Sequence, residues 1–523
     1  MVLAYFLIIF AAGYIVSRRY KTTSAHEFIT GGRTLNWYHT GMTVIAMAVD
    51  PGIIGLAGIG FLWGMYPTQW NGVHVWITTW FAAMFFVPIY WRTNISTTPE
   101  LLEKRFNVQC RAFFSIVMIS VLIVTLAFGV YLGALLLKNF LGWSFWVSTA
   151  LIMAVAGFYV IKGGMRTVLA IDFYQAIFLL ATIGVVAGMA LYKIGGISGL
   201  ASIKLLNSAG SRMASTIPPN DWSLFSTTFY PLPTIPTWSV IVGLSWLICN
   251  YGLVQRLLTA ESERAAQKAL LLVGVFSAFV TISGYIIGTV VRVQIPDIKP
   301  DESFMMVVLT MFPAGIRGLL VAGIMAALLS TIDGMMTASS ALATEDIYLR
   351  FIRPKAGERE LKIFTRSILG VILLITLSII PFVLKSQTAM EFLQSFYGDV
   401  LGVVVALYLA GIFSKRATPK AAFFSMVSGI VLAVCLDVFT DINFAYVGLF
   451  SFLYAFTATM ILSRFEPQLP DEKLVNLTIH TIEDAQGPWI GLAAWPALKK
   501  WAFGMAAGWF VLTAVWEIYV WMH

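Results

Sequence analysis

Apolar residues fall in long runs along this chain, and polar residues gather in short clusters between them. The strand alternation of a membrane barrel is absent. Runs of about 20 residues with almost no charge have the length that crosses a hydrocarbon core of roughly 30 Å as a helix. The pattern predicts an all-α polytopic membrane protein with about fourteen spans, at 1–17, 37–64, 70–91, 112–137, 143–161, 167–193, 236–254, 270–292, 303–345, 363–384, 391–413, 420–438, 443–463 and 501–521. The ninth opens with an amphipathic stretch around Met305–Phe312. Two polar segments interrupt the pattern: 194–235, rich in Ser, Thr and Pro, and 465–499, with Pro467, Pro470 and Pro488. Neither reads as an independent soluble domain, so 1–523 is expected to be one membrane domain.

Composition agrees with that reading. Hydrophobic residues make up 59% of the chain and charged ones 11%, against about 25% charged in a soluble domain. The net charge of +8 is no sign of nucleic acid, because its placement follows the positive-inside rule. With Met1 outside, 26 of the 34 basic residues fall on inside loops, and an even span count leaves His523 outside as well. In that count Lys162 and Arg166 mark a loop between the fifth and sixth spans, and Arg256 marks the loop after the seventh. A multi-pass protein of the cell membrane follows, plasma or bacterial inner. The first run, Val2–Val16, is expected to be a retained span, because Arg18 and Arg19 follow it and no signal-peptidase site does. Asn94-Ile-Ser96 and Asn476-Leu-Thr478 match glycosylation sequons but lie on inside loops, so no glycan is expected. Cys110, Cys249 and Cys435 show no paired spacing, and the five histidines are scattered, which argues against a disulfide framework or a zinc site.

Two spans carry breaks in their middles. The second reads TVIAMAVDPGIIGLAGIGF, where Pro51 removes a backbone donor and Gly52 loosens the helix. The seventh reads GLSWLICNYGLVQRL, with Asn250 and Gly252 at its centre. Matched interruptions in two halves point to inverted repeats with a binding site between them, since broken backbone at membrane depth is tolerated where it lines a cavity. A third segment, GLLVAGIMAALLSTIDGMMTASSALATEDIY at 318–348, places Ser330, Thr331, Asp333, Thr337, Ser339 and Ser340 on one apolar helix. Polar groups at that depth usually line an ion or substrate path, and oxygen ligands suit a hard cation. The alternative for Ser330 and Thr331 is a hydrogen bond back to a carbonyl one turn earlier.

Several local patterns resemble the sodium:solute symporter family, which includes bacterial proline and galactose symporters and animal sodium–glucose transporters. Thr98-Pro-Glu-Leu-Leu-Glu-Lys-Arg-Phe106 resembles its T-x-P-E-x-L-E-x-R-F loop. Gly163-Gly164 with Asp172 and Gln175 resembles its G-G-x-x-x-V-x-x-x-D-x-x-Q segment. Asn250 with Gln255-Arg256 resembles the end of a broken helix, Ala327–Thr331 with Ser339-Ser340 and Glu345–Tyr348 a hydroxyl-rich helix, and Gly411–Ala417 a G-x-F-x-K-R-A turn. The resemblance implies a LeuT-type fold: a 5+5 inverted-repeat core with one extra helix before it (1–17) and three after it. Repeat 1 would be 37–193, repeat 2 236–413, and the accessory region 420–523. It also implies sodium-driven symport by alternating access. The implied sodium site uses carbonyls of Ile45, Ala48 and Ala327 and the hydroxyls of Ser330 and Thr331. Some relatives have a second site, which here would be Asp172 with Ser330 and Asp333, although Asp333 stands where some members have serine. Asp172 has a structural alternative, an ion pair with Arg166. Asp333 has another, a proton or ion shared with Asp172.

Substrate evidence is thinner. Gln394 and Trp246 match positions of a sugar-contacting glutamine and an aromatic gate in the sugar-carrying members, though Trp246 also suits a plain apolar role. Against a sugar, Pro51-Gly52 stands where those members place a polar pair, and no lysine appears in the 270–291 span where they carry one. Asp50 would contact substrate, an amine or sugar hydroxyls, or else cap the half-helix that follows. Gly52 and Asn250 complete the expected substrate set. The expected activity is sodium-coupled uptake of a small organic solute, sugar- or polyol-like, with Na⁺ as the coupling ion and no other cofactor. Alternatives are a proton-coupled or amino-acid/amine carrier of the same fold, or a transporter-like membrane sensor. No catalytic constellation or nucleotide loop suggests an enzyme. The partners expected are Na⁺, the solute and the bilayer, not nucleic acid, with the oligomeric state left open.

Overall fold

The computed structural model describes residues 33–48, 52–69, 77–226, 231–386, 388–481 and 495–523. The first predicted span, 1–17, and Asp50 lie outside the described residues. The described chain is helical: α1 (Trp37–Ala48), α2 (Gly52–Trp63), α3 (79–92, with a π-turn at Ala82–Phe86), α4 (Thr98–Arg105), α5 (Val108–Leu141), α6 (Phe145–Lys193), α7 (Ile235–Ile248), α8 (Tyr251–Leu257), α9 (Glu263–Gln294), α10 (Ser303–Met311), α11 (Ala314–Ala341), α12 (Glu358–Val383), α13 (Ala389–Phe413), α14 (Pro419–Phe439), α15 (Phe444–Leu462) and α16 (Trp495–Met522). α11 runs on to Ile352 in wider π-helical turns. Among the described residues only two isolated β-bridges occur.

Local chemistry sets many helix starts. Asn107 accepts from the Cys110 amide at 2.9 Å, Ser262 from Ala265 at 3.1 Å and Thr388 from Glu391 at 3.0 Å. Each side chain satisfies one of the amides that a helix N-terminus leaves without a partner. α5 stops where Gly142 turns left-handed at φ +69°, a conformation that favours glycine. Pro313 separates α10 from α11, so the predicted amphipathic start of the ninth span is a helix of its own. A proline cannot donate the amide that would join the two.

Among the described residues, eight helices are long and apolar enough to cross a bilayer, or ten if each bent pair, α1 with α2 and α7 with α8, is one span. One expectation fails. The backbone stays helical through Lys162–Arg166, so α6 runs 49 residues from Phe145 to Lys193 where two spans and a loop were predicted. The link contains Gly163 and Gly164 but no proline, and glycine weakens a helix by only about 1 kcal/mol.

The helices sort by depth in the bundle. In α11 and its extension 94% of the apolar window is buried inside the protein, against 22% in α12. α11 packs on α1, α5 and α6, while α9 packs on α1 and α2. The α2–α9 crossing is close enough that a Cβ on Gly60 would lie 2.6 Å from the Tyr285 carbonyl oxygen. α13 packs on α5, α7 and α15. The C-terminal helix α16 docks on the polar segment after α6: Thr216 Oγ1 donates to Glu517 at 2.6 Å, and Trp516 Nε1 donates to the Ala214 carbonyl at 2.9 Å. The C-terminal end therefore lies on the same side as that segment.

Candidate functional site

Both predicted breaks are present. α1 and α2 meet at 54°, α7 and α8 at 55°. At the first break the described part of α1 reaches Ala48 and that of α2 starts at Gly52, with 49–51 outside the described residues.

At the second break the carbonyls that close α7 accept side-chain hydrogen bonds. Tyr90 donates its hydroxyl to Ile248 O at 2.5 Å, and Thr98 donates to Cys249 O at 3.0 Å. Asn250 caps α8 by accepting from the Gly252 amide at 3.0 Å. That bond fixes which end of its amide is oxygen, leaving Nδ2 buried without a hydrogen-bond partner among the described residues. A Cβ on Gly252 would displace the end of the Met47 side chain.

One turn further along α8, Arg256 is completely buried. Its guanidinium donates to Asp172 Oδ2 from Nε at 3.1 Å and from Nη2 at 2.8 Å, and Nη1 reaches Met47 Sδ at 2.8 Å. Ser330 donates to the other Asp172 oxygen at 2.5 Å. A Cβ on Gly334 would stand 2.9 Å from both terminal guanidinium nitrogens and 3.2 Å from Met47 Sδ, so a larger residue there would push the guanidinium out of this arrangement. Met47 of α1, Arg256 of α8, Asp172 of α6 and Ser330 of α11 therefore meet around one charge pair.

The hydroxyls of α11 divide into two groups. Thr337 donates back to Asp333 O at 2.6 Å, Ser339 to Met335 O at 2.7 Å and Ser340 to Thr337 O at 3.0 Å. Ser330 instead gives its proton to Asp172, and Thr331 Oγ1 is buried with no hydrogen-bond partner among the described residues. A hydroxyl that donates to a carboxylate keeps its lone pairs for a cation and becomes a stronger ligand. Asp333 is 4% exposed, its Oδ1 has no hydrogen-bond partner among the described residues, and it lies within electrostatic reach of Asp172 and Arg256. Arg256 thus faces two buried carboxyl groups.

The structure therefore brings Ser330, Asp172 and Arg256 into direct contact. Thr331 and Asp333 flank them on α11, and Ala327 is buried one turn below Thr331. Ile45 and Ala48 belong to the same end of α1 as Met47, which touches the guanidinium. Trp246 and Gln394 lie apart from this cluster. Trp246, one turn before Asn250, meets Tyr397 with ring centroids 5.8 Å apart, and Tyr397 follows Gln394 by three residues on α13. Gln394 Oε1 is buried without a hydrogen-bond partner among the described residues. One expectation needs correction: Arg256 is an interior residue paired with Asp172 at 2.8 Å, not a loop charge. The side chain of Arg166, the ion-pair partner expected for Asp172, lies outside the described residues. An arginine closing an apolar run beside a buried-span aspartate was the available signal. The role of Met47 had none.

The family model described as "Sodium:solute symporter family" matches residues 28–429. A sodium/glucose cotransporter 4 of Danio rerio is 27% identical over 91% of this chain and 80% of its own length. A sodium/glucose cotransporter of Vibrio parahaemolyticus is 27% identical over 88% of each, and a sodium/mannose cotransporter of Bos taurus is 29% identical over 83% of this chain and 77% of its own. Among solved structures, a Na⁺-coupled sialic acid symporter in a substrate-bound outward-open state superposes with a TM-score of 0.77 at 21% identity, covering 89% of this chain and 97% of that one. Mhp1, a nucleobase-cation-symport-1 family transporter in a closed conformation, gives 0.57 at 13%, over 87% and 99%.

Proposed function

Since the chain belongs to the sodium:solute symporter family, a family of multi-pass transporters rather than enzymes, we propose that its own coupling ion is bound where α1 ends against α11. The ligands are the carbonyls of Ile45, Ala48 and Ala327 with the hydroxyls of Ser330 and Thr331. The observation that carries this reading is the division of the α11 hydroxyls: three are committed to their own helix, and these two are not. Five neutral oxygens make a weak site for a hard cation, and a carrier has to release its ion. Asp172 and Asp333 supply negative charge beside it and form a candidate second ion position, with Arg256 neutralising one of them.

The solute is a small polar molecule, sugar- or polyol-like by the similarity to sodium/glucose and sodium/mannose cotransporters. Its contacts are Gln394 Oε1 and Asn250 Nδ2, two buried amide groups with unused hydrogen-bonding capacity, with Trp246 as an aromatic face. Gly52 at the start of α2 and Asp50 before it complete the set. Inverted repeats at 37–193 and 236–413 account for two bends that differ by a degree, and rocking one half against the other alternates access to the site. Both chain ends lie outside. One sodium ion crossing about 100 mV gains roughly 2.3 kcal/mol, and a tenfold gradient adds about 1.4 kcal/mol. Together they sustain roughly 500-fold accumulation of a neutral solute.

The test is uptake into proteoliposomes across a panel of sugars, polyols, amino acids and amines, with sodium and proton gradients imposed separately. Sodium-driven uptake of a sugar or polyol is expected. Uptake driven by protons without sodium replaces the ion assignment, uptake of an amine replaces the solute assignment, and no gradient-dependent uptake of any solute favours a sensor.

A further inference from the structure

We propose that the hairpin joining α11 to α12 binds the headgroup of an anionic phospholipid in the leaflet it faces. This site is independent of the ion and solute assigned above. The hairpin links two membrane spans, so it lies at a bilayer surface in either orientation of the chain. Between residues 350 and 366 it carries six basic residues and only two acidic ones. Some of that charge is already used. Arg350 pairs with Glu103, Arg353 pairs with Glu360 at 3.3 Å, and Glu360 also accepts from the Tyr348 hydroxyl at 2.6 Å. Lys355, Arg359, Lys362 and Arg366 are exposed and, among the described residues, belong to no ion pair. The acidic group left beside them is Glu358.

The placement of these cations selects a lipid over a soluble anion. Arg359, Lys362 and Arg366 are spaced so that they share one face of α12. The same face continues through Gly370, Leu374 and Leu377, and Leu374 is 69% exposed. With only 22% of its apolar window buried in protein, α12 presents a track for acyl chains that begins under three unpaired cations. A groove of about 550 Å³ opens beside them, lined by Tyr348, Gly357, Arg359, Glu360, Phe364 and Ser367. Tyr348 stacks on Phe364 at 3.9 Å to form an aromatic wall. Basic residues at a cytoplasmic membrane surface contribute to anionic-lipid binding at about fivefold each.

The full chain is purified in detergent with equal amounts of phosphatidylglycerol and phosphatidylcholine of matched acyl chains, and retained lipids are counted by native mass spectrometry. The parent protein is expected to retain phosphatidylglycerol preferentially. Arg359→Gln with Lys362→Gln and Arg366→Gln is expected to lower that retention at least tenfold. The equal charge removal Arg416→Gln with Lys420→Gln and Arg464→Gln is expected to leave it unchanged. Should the first triple variant not fold, Arg359→Gln alone is read, with about a fivefold loss expected. Equal retention of the two lipids overturns the proposal, as does equal loss in both triple variants. Displacement by millimolar inorganic phosphate also overturns it, because a soluble anion would then suffice.

Discussion

Asp333 and Asp346 stand on one continuous helix, roughly 20 Å apart at 1.5 Å per residue, and both are buried. Their surroundings are opposite. Asp346 Oδ1 accepts from Arg111 Nε at 2.8 Å, from Arg111 Nη2 and from Thr97 at 2.9 Å, while Ser115 reaches Oδ2 at 3.1 Å. The network extends to Glu103, which accepts from Arg111 Nη1 at 2.7 Å and from Arg350. Burial pushes the Glu103 carboxyl up, but its two arginines outweigh that and hold it below the usual carboxylate value. Asp333 Oδ1 receives nothing. A buried carboxylate ringed by donors ties helices together, whereas one left with an unused oxygen beside an unused hydroxyl has capacity for a ligand.

The largest expected effect is at the Asp346 end. Asp346→Ala leaves Arg111, whose side chain is 12% exposed, without its main counter-charge. Breaking a buried pair this way costs about 3–5 kcal/mol, so the melting temperature in detergent should fall sharply. A change equivalent to less than about 1 kcal/mol would mean that the network is not structural and that the contrast is false.

A third buried carboxylate lies between these extremes and outside the spans. Asp301 Oδ2 accepts from the Ala389 amide at 3.0 Å and from the Tyr131 hydroxyl at 3.3 Å, but Oδ1 has no partner and faces Gly58. Burial raises its pKa to about 6, against the pull of the Ala389 amide and the Tyr131 hydroxyl and with smaller upward pushes from Glu302 and Glu391. The folded protein therefore holds this proton more tightly than the unfolded chain does. The stabilisation is complete below the ordinary value near 3.8 and is lost as pH rises through about 6. At about 1.4 kcal/mol per unit, the change approaches 3 kcal/mol. Asp301→Asn should flatten the melting-temperature profile between pH 4 and 7. A parent profile with no fall in that window sinks the assignment.

At the Asp333 end the effect should appear in sodium dependence rather than in folding. Ser330→Ala with Thr331→Ala is expected to raise the sodium concentration for half-maximal uptake at least tenfold, about 1.4 kcal/mol. The melting temperature in sodium-free buffer should stay within a degree or two. The stabilisation by sodium, which follows from mass action, should shrink with it. Ser339→Ala, whose hydroxyl is committed to Met335 O, should leave the sodium dependence as it was. If the two variants behave alike, the division of hydroxyls along α11 has no functional meaning.

How much of this was legible in the sequence depends on range. Both bends follow from local chemistry, a proline and a glycine at 51–52 and an asparagine cap at 250, and the apolar runs mark most spans. The hydroxyls of α11 were visible as a cluster, but nothing local distinguishes Ser330 from Ser339. Which of them bonds back depends on whether a carboxylate from a distant helix stands opposite, and Asp172 is 158 residues away from Ser330. Arg256 was misplaced for the same reason. Basic residues near span ends are read as surface anchors, and only the fold shows that this one turns inward to a buried partner. The continuous helix through Lys162–Arg166 shows the reverse error, in which a charge pattern was given more weight than the absence of a helix breaker.

Asp333→Asn separates a ligand from a structural group most finely, because the two readings predict opposite signs for stability. If Asp333 were a tie like Asp346, the amide would lose charge-assisted bonds and the protein would melt earlier. With Oδ1 unpaired and Asp172 nearby, the substitution removes a costly buried negative charge at nearly constant volume. Stability should hold or rise, by about 1 kcal/mol. Sodium affinity should meanwhile fall a few-fold, since one unit of negative charge leaves the neighbourhood of the ion while the five neutral oxygens stay in place. Higher melting temperature with weaker sodium dependence would assign Asp333 to ion binding. Lower melting temperature with unchanged sodium dependence would make it a second tie, and the difference between the two ends of the helix would disappear.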